Sequence, residues 1–288
     1  MAVFKALGNG ITTASRRPTL LLILWVINVL FALLIAGPFF ALFKSDLGHS
    51  LLGRNLQALD FIWLGDLLFR YQDVAPAALA AVTTPVVLYT LVYVFFNGGI
   101  IGRLLDREGR TTPQTFFSDC GRYFWRFVRL FLVSLLFYAL AFGVVLEAVS
   151  ALLKPISERA LTEWPDIWIS ALHSVLALLF LSLVHMVFDY ARITVVAEDD
   201  RRVLHALRAA LRFVGRRVFR AWSLYLLIAA GFVAGTAAYV LAGQAIPAEG
   251  LGWTGLAIIW GQLFIAFRLW TKMVFFSAQA EYMRINPY

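Results

Sequence analysis

Three ionisable side chains fall on one helical face of an otherwise apolar segment in the second half of the chain. His185, Asp189 and Arg192 are separated by four and three residues, which places them side by side on a helix. Arg268 and Lys272 repeat the spacing of four. Ionisable groups inside a membrane span are costly, so they pair with one another or line a polar path. We predict an intramembrane cluster of these five residues, in which Asp189 partners Arg192 and either Arg268 or Lys272.

A basic helical face follows this segment. Its members are His205, Arg208, Arg212 and Arg216. The opposite face is apolar and carries Val203, Leu207, Ala210 and Val214, with Leu204, Leu211 and Val218 beside them. This pattern predicts a helix in the membrane interface, apolar side down, with arginines towards anionic headgroups. Asp199 or Asp200 would cap its start. The basic face is either merely solvated or docks anionic lipid headgroups or a membrane-protein partner.

Catalytic and metal-binding motifs are absent from the sequence. It contains no G-x-S-x-G, no H-E-x-x-H and no phosphate-binding loop. The single cysteine, Cys120, has no obvious base nearby, and no Cys/His group has the spacing of a metal site. We therefore predict no catalytic residue, no cofactor and no metal.

The composition is typical of an integral membrane protein. Hydrophobic residues make up 61% of the 288 residues and charged residues 15%, against roughly 45–50% and 25% in soluble domains. Six segments are long and apolar enough to cross a bilayer: 18–43, 76–102, 124–153, 166–193, 218–243 and 253–276. We predict an all-α polytopic membrane protein with six transmembrane helices and cytoplasmic interfacial amphipathic helices, forming one domain over residues 1–288.

Basic residues are distributed unequally between the two sides of such a membrane. Of 25 Lys and Arg, 20 fall on the side of the termini and of the arginine-rich connections, and five fall on the other side. Since Lys and Arg concentrate in cytoplasmic loops, both termini are expected in the cytoplasm. The net charge of +8 is then mainly an orientation signal, and we expect no nucleic-acid partner.

A weak internal repeat relates residues 76–153 to 166–243. Aligning 96–110 with 188–202 matches Asn97 with Asp189 and Arg110 with Arg202, and "RYFWR" (122–126) then matches "RFVGR" (212–216) two residues out of step. Shared positive-inside composition would produce a similar likeness. Within the first half of the repeat, Thr112 and Pro113 fit the N-cap and first position of a helix.

The two connections also carry a family resemblance. The run from "FFNGGIIGRLLDREGR" to "RYFWRFVRLFL", followed by "DYARITVVAEDDRRVLHALRAALRFV", resembles a loose group of prokaryotic six-span proteins. That group includes the membrane domain attached to some glycerophosphodiester phosphodiesterases and families of uncharacterised function. The resemblance implies a six-helix α bundle in a bacterial inner membrane. It supplies no catalytic residues, and the chain has no phosphodiesterase domain.

Three functions remain open at this point. The first is an integral inner-membrane accessory or scaffold protein that engages lipid headgroups or a partner subunit through its arginine-rich cytoplasmic face. The second is a transporter or channel for a small or lipid-like solute, using the polar cluster between the fourth and sixth spans. The third is an intramembrane enzyme. A water-filled cavity reaching His185 and Asp189 would favour transport.

Overall fold

A computed structural model describes residues 2–47, 75–106, 109–140, 142–143, 147, 151, 164–247 and 250–287. Within these residues the chain forms long helices and no strand, which confirms the predicted all-α class. The helices are α1 Ala2–Ser15, α2 Pro18–Leu47, α3 Ala75–Leu105, α4 Pro113–Leu140, α5 Trp164–Ala197, α6 Val203–Arg216, α7 Val218–Gly243 and α8 Leu251–Ile285.

Five of these helices are long and apolar enough to cross a membrane. The qualifying stretches are Val87–Leu105, Pro113–Leu140, Ala171–Ala197, Val218–Gly243 and Gly252–Ile285. A sixth span arises if Ala2–Ser15 and Pro18–Leu34, which meet at a 70° bend, are counted together. The predicted polytopic membrane architecture is therefore confirmed, and the predicted count of six spans is reached only if the bent pair is one span.

Two helices differ in extent from the prediction. Helix α1 lies within a segment that the sequence analysis left unassigned, and its buried residues Ala6, Gly10 and Ala14 recur every four residues. Helix α4 begins at Pro113, 11 residues before the predicted span, because no further proline interrupts the chain between its arginine-rich start and its apolar end. The N–H of Thr115 donates to Oγ1 of Thr112 at 3.2 Å, which confirms the predicted N-cap.

The described contacts divide the chain into two compact units. The first comprises Met1–Arg16, Val94–Gly231 and Thr271–Tyr288. In it, α1 packs closely on α8, since a Cβ at Gly10 would lie 2.6 Å from Cα of Ala278, and Oγ of Ser277 donates to the carbonyl of Gly10 at 2.8 Å. Helix α3 approaches α4 through Gly99, where a Cβ would lie 2.6 Å from the ring of Phe116. Small residues therefore set the helix separations in this unit.

The second unit comprises Arg17–Tyr93 and Phe232–Trp270. Aromatic rings from α7 and α8 pack together in it, with Tyr239 and Phe264 stacked at a centroid distance of 4.2 Å. The indole N–H of Trp25 donates to Oε1 of Gln262 at 3.0 Å. The prediction of a single domain over 1–288 and the proposed repeat both remain predictions.

Candidate functional site

Asp189 is a buried carboxylate within the span of α5. The residue is 3% exposed, and its Oδ1 accepts a hydrogen bond from Nη1 of Arg192 at 2.6 Å. Nε2 of His185 lies 3.6 Å from Oδ2 of Asp189. Both neighbours are available because positions one helical turn away share a face. Arg192 thus neutralises Asp189 locally, in a part of the helix where an isolated charge would be costly.

A tyrosine extends this group across two helices. Nδ1 of His185 lies 3.0 Å from the hydroxyl of Tyr138 on α4. The imidazole also meets the ring of Tyr225 on α7 edge to face, with centroids 6.3 Å apart. We call Tyr138, His185, Asp189 and Arg192 the α4–α5 polar chain. Sequence reasoning missed Tyr138, because a tyrosine in an apolar span carries no local signal of its partner.

The two basic residues of α8 were predicted to complete this cluster. Arg268 is exposed and Lys272 is half-buried on that helix. In the structure, the side chains that pair with the carboxylate of Asp189 are those of His185 and Arg192 on its own helix. Pairing of Asp189 with Arg268 or Lys272 stays a prediction.

Helix α6 has the two faces that the sequence predicted. Its buried residues are Val203, Ala206, Leu207, Ala210, Phe213 and Val214. This apolar face packs mainly against α5. The ring centroids of Tyr190 on α5 and Phe213 on α6 are 5.3 Å apart. The expectation that the apolar face lies down on the bilayer is therefore wrong, because neighbouring protein covers it. Leu204 and Leu211, at the edge of that face, stay 60% and 41% exposed.

The basic face of α6 points away from this packing. His205, Arg208, Arg212 and Arg216 are all exposed. Nδ1 of His205 donates to Oδ2 of Asp200 at 2.7 Å. Among the residues that the structure describes, no carboxylate pairs with Arg208, Arg212 or Arg216. We call Arg208, Arg212 and Arg216 the open arginines of α6.

Asp199 takes a different place from the one predicted. The N-cap of α6 is Arg202, which makes no side-chain capping bond, so neither aspartate caps the helix itself. Asp200 instead accepts the N–H of Arg202 at 2.8 Å. Asp199 has a φ of +49°, a left-handed conformation that aspartate tolerates better than most residues. This backbone turn carries its carboxylate towards α4.

Two arginines of α4 hold Asp199 between them. Nη2 of Arg122 and Nη1 of Arg126 each lie 2.6 Å from one of its carboxylate oxygens. Hydrogen bonds from Arg126 and then Arg122 lower the pKa of Asp199 below its ordinary value. Both guanidinium groups also lie over the ring of Tyr123, at 5.5 and 5.4 Å. We call this arrangement the α4 clamp.

A third charged contact joins α3 to α4. Nη2 and Nε of Arg103 both lie 2.6 Å from Oδ2 of Asp119, and the two side chains are only 11% and 13% exposed. Arg103 was interpreted from the sequence as part of the orientation signal. The structure adds a packing role that spacing alone could not reveal, because its partner lies 16 residues away.

Two groups resemble chemical sites but have simpler explanations. Ligand atoms of Glu198, Asp200 and His205 lie within 4.8 Å of one another, close enough to hold a metal ion. Asp200 is already hydrogen-bonded to Arg202 and His205, and these bonds lower its pKa, so hydrogen bonds within the chain account for the grouping. Cys120 is fully buried, as expected of a packing thiol.

Comparisons with known protein families, with curated proteins and with solved structures find no match to this chain. The fold and its contacts define a polytopic α-helical membrane protein. Its function rests on the physical character of the two charged regions, the α4–α5 polar chain and the open arginines of α6.

Proposed function

We propose that the chain is an integral-membrane accessory or scaffold protein whose arginine-rich cytoplasmic face binds anionic lipid headgroups. The observation that carries this proposal is the exposure of three arginines on one face of α6 with no carboxylate partner among the described residues. Basic residues held near an anionic membrane surface contribute roughly 1 kcal/mol each. A membrane-protein partner with an acidic surface is the other occupant of this face.

The setting of α6 supports a lipid-binding role. The helix ends at Arg216, and α7, a candidate span, begins at Val218. Only Arg217 separates the basic face from apolar membrane-spanning chain, which supports a position of the arginines near headgroup level. Because α5 covers the opposite face of α6, the arginines are presented by a fixed helix.

The resemblance and the charge distribution support the remaining details. The resemblance favours a bacterial inner membrane, and the excess of Lys and Arg on one side favours cytoplasmic termini. Reporter fusions test this orientation: one after Gln114 is expected to report a cytoplasmic position, and one after Ile246 an external position. The opposite result at both sites would reverse the assignment of the basic face.

Lipid retention tests the proposed function directly. The full chain, purified in mild detergent from membranes containing phosphatidylglycerol, is expected to retain this lipid. Arg208→Gln with Arg212→Gln should lower the retained amount severalfold. A matched control, Arg201→Gln with Arg202→Gln, removes the same charge from the connection before α6 and should change retention less. Equal retention by all three proteins would contradict the proposal.

A transporter or channel is the second candidate, and the α4–α5 polar chain favours it. Tyr138, His185, Asp189 and Arg192 follow one another by short contacts inside two candidate spans. A cavity of about 300 Å³ lies in the same unit, among Leu104, Ile193, Glu198, Glu281 and Arg284. Neither His185 nor Asp189 lines that cavity. Proton flux in proteoliposomes that His185→Phe abolishes would favour this candidate over the scaffold.

A further inference from the structure

The α4 clamp shows how two arginines one helical turn apart bind a single anion in this fold. Arg122 and Arg126 lie four residues apart, and each contributes a nitrogen 2.6 Å from Asp199. The carboxylate is 47% exposed, so the clamp works at the surface and needs no deep pocket. Charge-assisted bonds from planar guanidinium groups suit carboxylate and phosphate oxygens equally.

Helix α6 repeats the pattern of α4 with a constant offset of 90 residues. The buried residues Phe116, Cys120 and Tyr123 of α4 correspond to Ala206, Ala210 and Phe213 of α6, all of them buried. The same offset carries Arg122 to Arg212 and Arg126 to Arg216. Because these three buried positions correspond, the two arginine pairs occupy similar positions around their helices relative to the packed side.

The two pairs differ in what faces them. Asp199 fills the pair on α4, whereas no described carboxylate lies on the pair formed by Arg212 and Arg216. The next arginine, Arg217, is engaged elsewhere, since it donates to the carbonyl of Asn286 and lies over the ring of Phe213. The open pair therefore has the spacing of the α4 clamp without a described carboxylate between its arginines.

We propose that Arg212 and Arg216 clamp the phosphate of an anionic membrane lipid, as Arg122 and Arg126 clamp Asp199. This proposal rests on the proposed function and assigns its binding site to two of the open arginines. Its support is the location of the pair at the corner where α6 ends and the apolar span α7 begins. Leu211 and Phe219 flank the corner, 41% and 83% exposed, where they can contact acyl chains while the arginines hold the phosphate.

Charge-conserving variants separate a clamp from general attraction to an anionic surface. Lysine keeps the charge but lacks the planar fork of arginine. Binding of phosphatidylglycerol to the full chain in detergent is counted by native mass spectrometry during a lipid titration. It is expected to weaken about tenfold in Arg212→Lys with Arg216→Lys, because lysine cannot form the paired guanidinium bonds to phosphate. The matched variant Arg208→Lys should bind like the wild type, because α4 has Ser118 at the corresponding position.

The outcomes distinguish the clamp from the broader function. If the double lysine variant binds like the wild type while Arg212→Gln with Arg216→Gln binds weakly, the clamp is wrong and general lipid binding survives. If the glutamine variant also binds like the wild type, both proposals fail. Inorganic phosphate at millimolar concentration should not displace the lipid. Displacement by phosphate alone would show that the pair binds free phosphate and would overturn the lipid assignment.

Discussion

The charged group within α5 and the charged face of α6 belong to adjacent helices but use charge in opposite ways. The side chains of Asp189 and Arg192 are 4% and 14% exposed and pair at 2.6 Å. Arg212 and Arg216 are exposed and have no carboxylate partner among the described residues. A buried charge must be paired locally, whereas a charge at the membrane surface is stabilised by water and headgroups. The comparison separates charge that stabilises the fold from charge that is available to a ligand.

The α4 clamp lies between these extremes. Its carboxylate is 47% exposed, Arg122 is 56% exposed and Arg126 is 13% exposed. We therefore expect removal of a charged partner to affect stability strongly in α5, weakly in the α4 clamp and hardly at all on α6.

The largest effect is expected for Asp189→Asn. The substitution keeps the shape but leaves Arg192 without its charged partner, and breaking a buried pair costs about 3–5 kcal/mol. Thermal unfolding in detergent should show a clearly lowered midpoint. Adding Arg192→Met should recover part of the loss. Normal stability together with lost function in Asp189→Asn would instead show a substrate or proton role and promote the transporter candidate.

A smaller effect is expected for Asp199→Asn in the α4 clamp. Exposed ion pairs contribute about 0–1 kcal/mol, so the unfolding midpoint should fall only slightly. The substitution also frees Arg122 and Arg126, which then resemble the open pair of α6. We expect native mass spectrometry to show an additional bound phosphatidylglycerol. An unchanged number of bound lipids would mean that two arginines at this spacing do not suffice for binding.

The contribution of Asp199 is also expected to depend on pH. The pKa of this carboxyl is lowered in the folded protein, first by Arg126 and then by Arg122. A lowered pKa stabilises the fold above the unfolded value of about 4 and loses this contribution as the pH falls through the folded value. The stability difference between wild type and Asp199→Asn should therefore be present at pH 7 and shrink below pH 4. A difference that grows on acidification would contradict the clamp.

The smallest effect on stability is expected for Arg212→Gln with Arg216→Gln. Exposed substitutions away from packed contacts usually change stability by less than about 0.5 kcal/mol. The unfolding midpoint should stay close to that of the wild type. A large loss of stability would show that these arginines have a structural role and would remove the contrast with α5.

Periodicity and hydropathy predicted the helical class, the spans and the two faces of α6, because these depend on residues within a few turns of one another. The covering of α6 by α5 could not be predicted, since an apolar face meets lipid or protein equally well. Partners distant in sequence were also missed, because local patterns do not show which helices pack together. Tyr138 lies 47 residues from its partner His185, and Arg122 lies 77 residues from its partner Asp199. Helix α1 was missed although its small residues recur every four positions.

Asp199 shows why local rules fail at the charged connections. An aspartate just before a helix is normally predicted to be its N-cap, and the sequence supported that interpretation. The structure uses the left-handed backbone of Asp199 to turn the carboxylate towards α4, where two arginines bind it. Only the three-dimensional position of α4 decides between these two uses.

The central claim is that an unfilled arginine pair, and not basic charge in general, holds an anionic lipid. The most direct test counts phosphatidylglycerol retained by three full-length proteins in one native mass spectrometry experiment. Arg212→Gln with Arg216→Gln should lose a lipid that the wild type retains. Arg122→Gln with Arg126→Gln removes the same charge from the pair that Asp199 already fills, and it should retain the lipid. Equal loss from both variants, or loss from neither, would contradict the account.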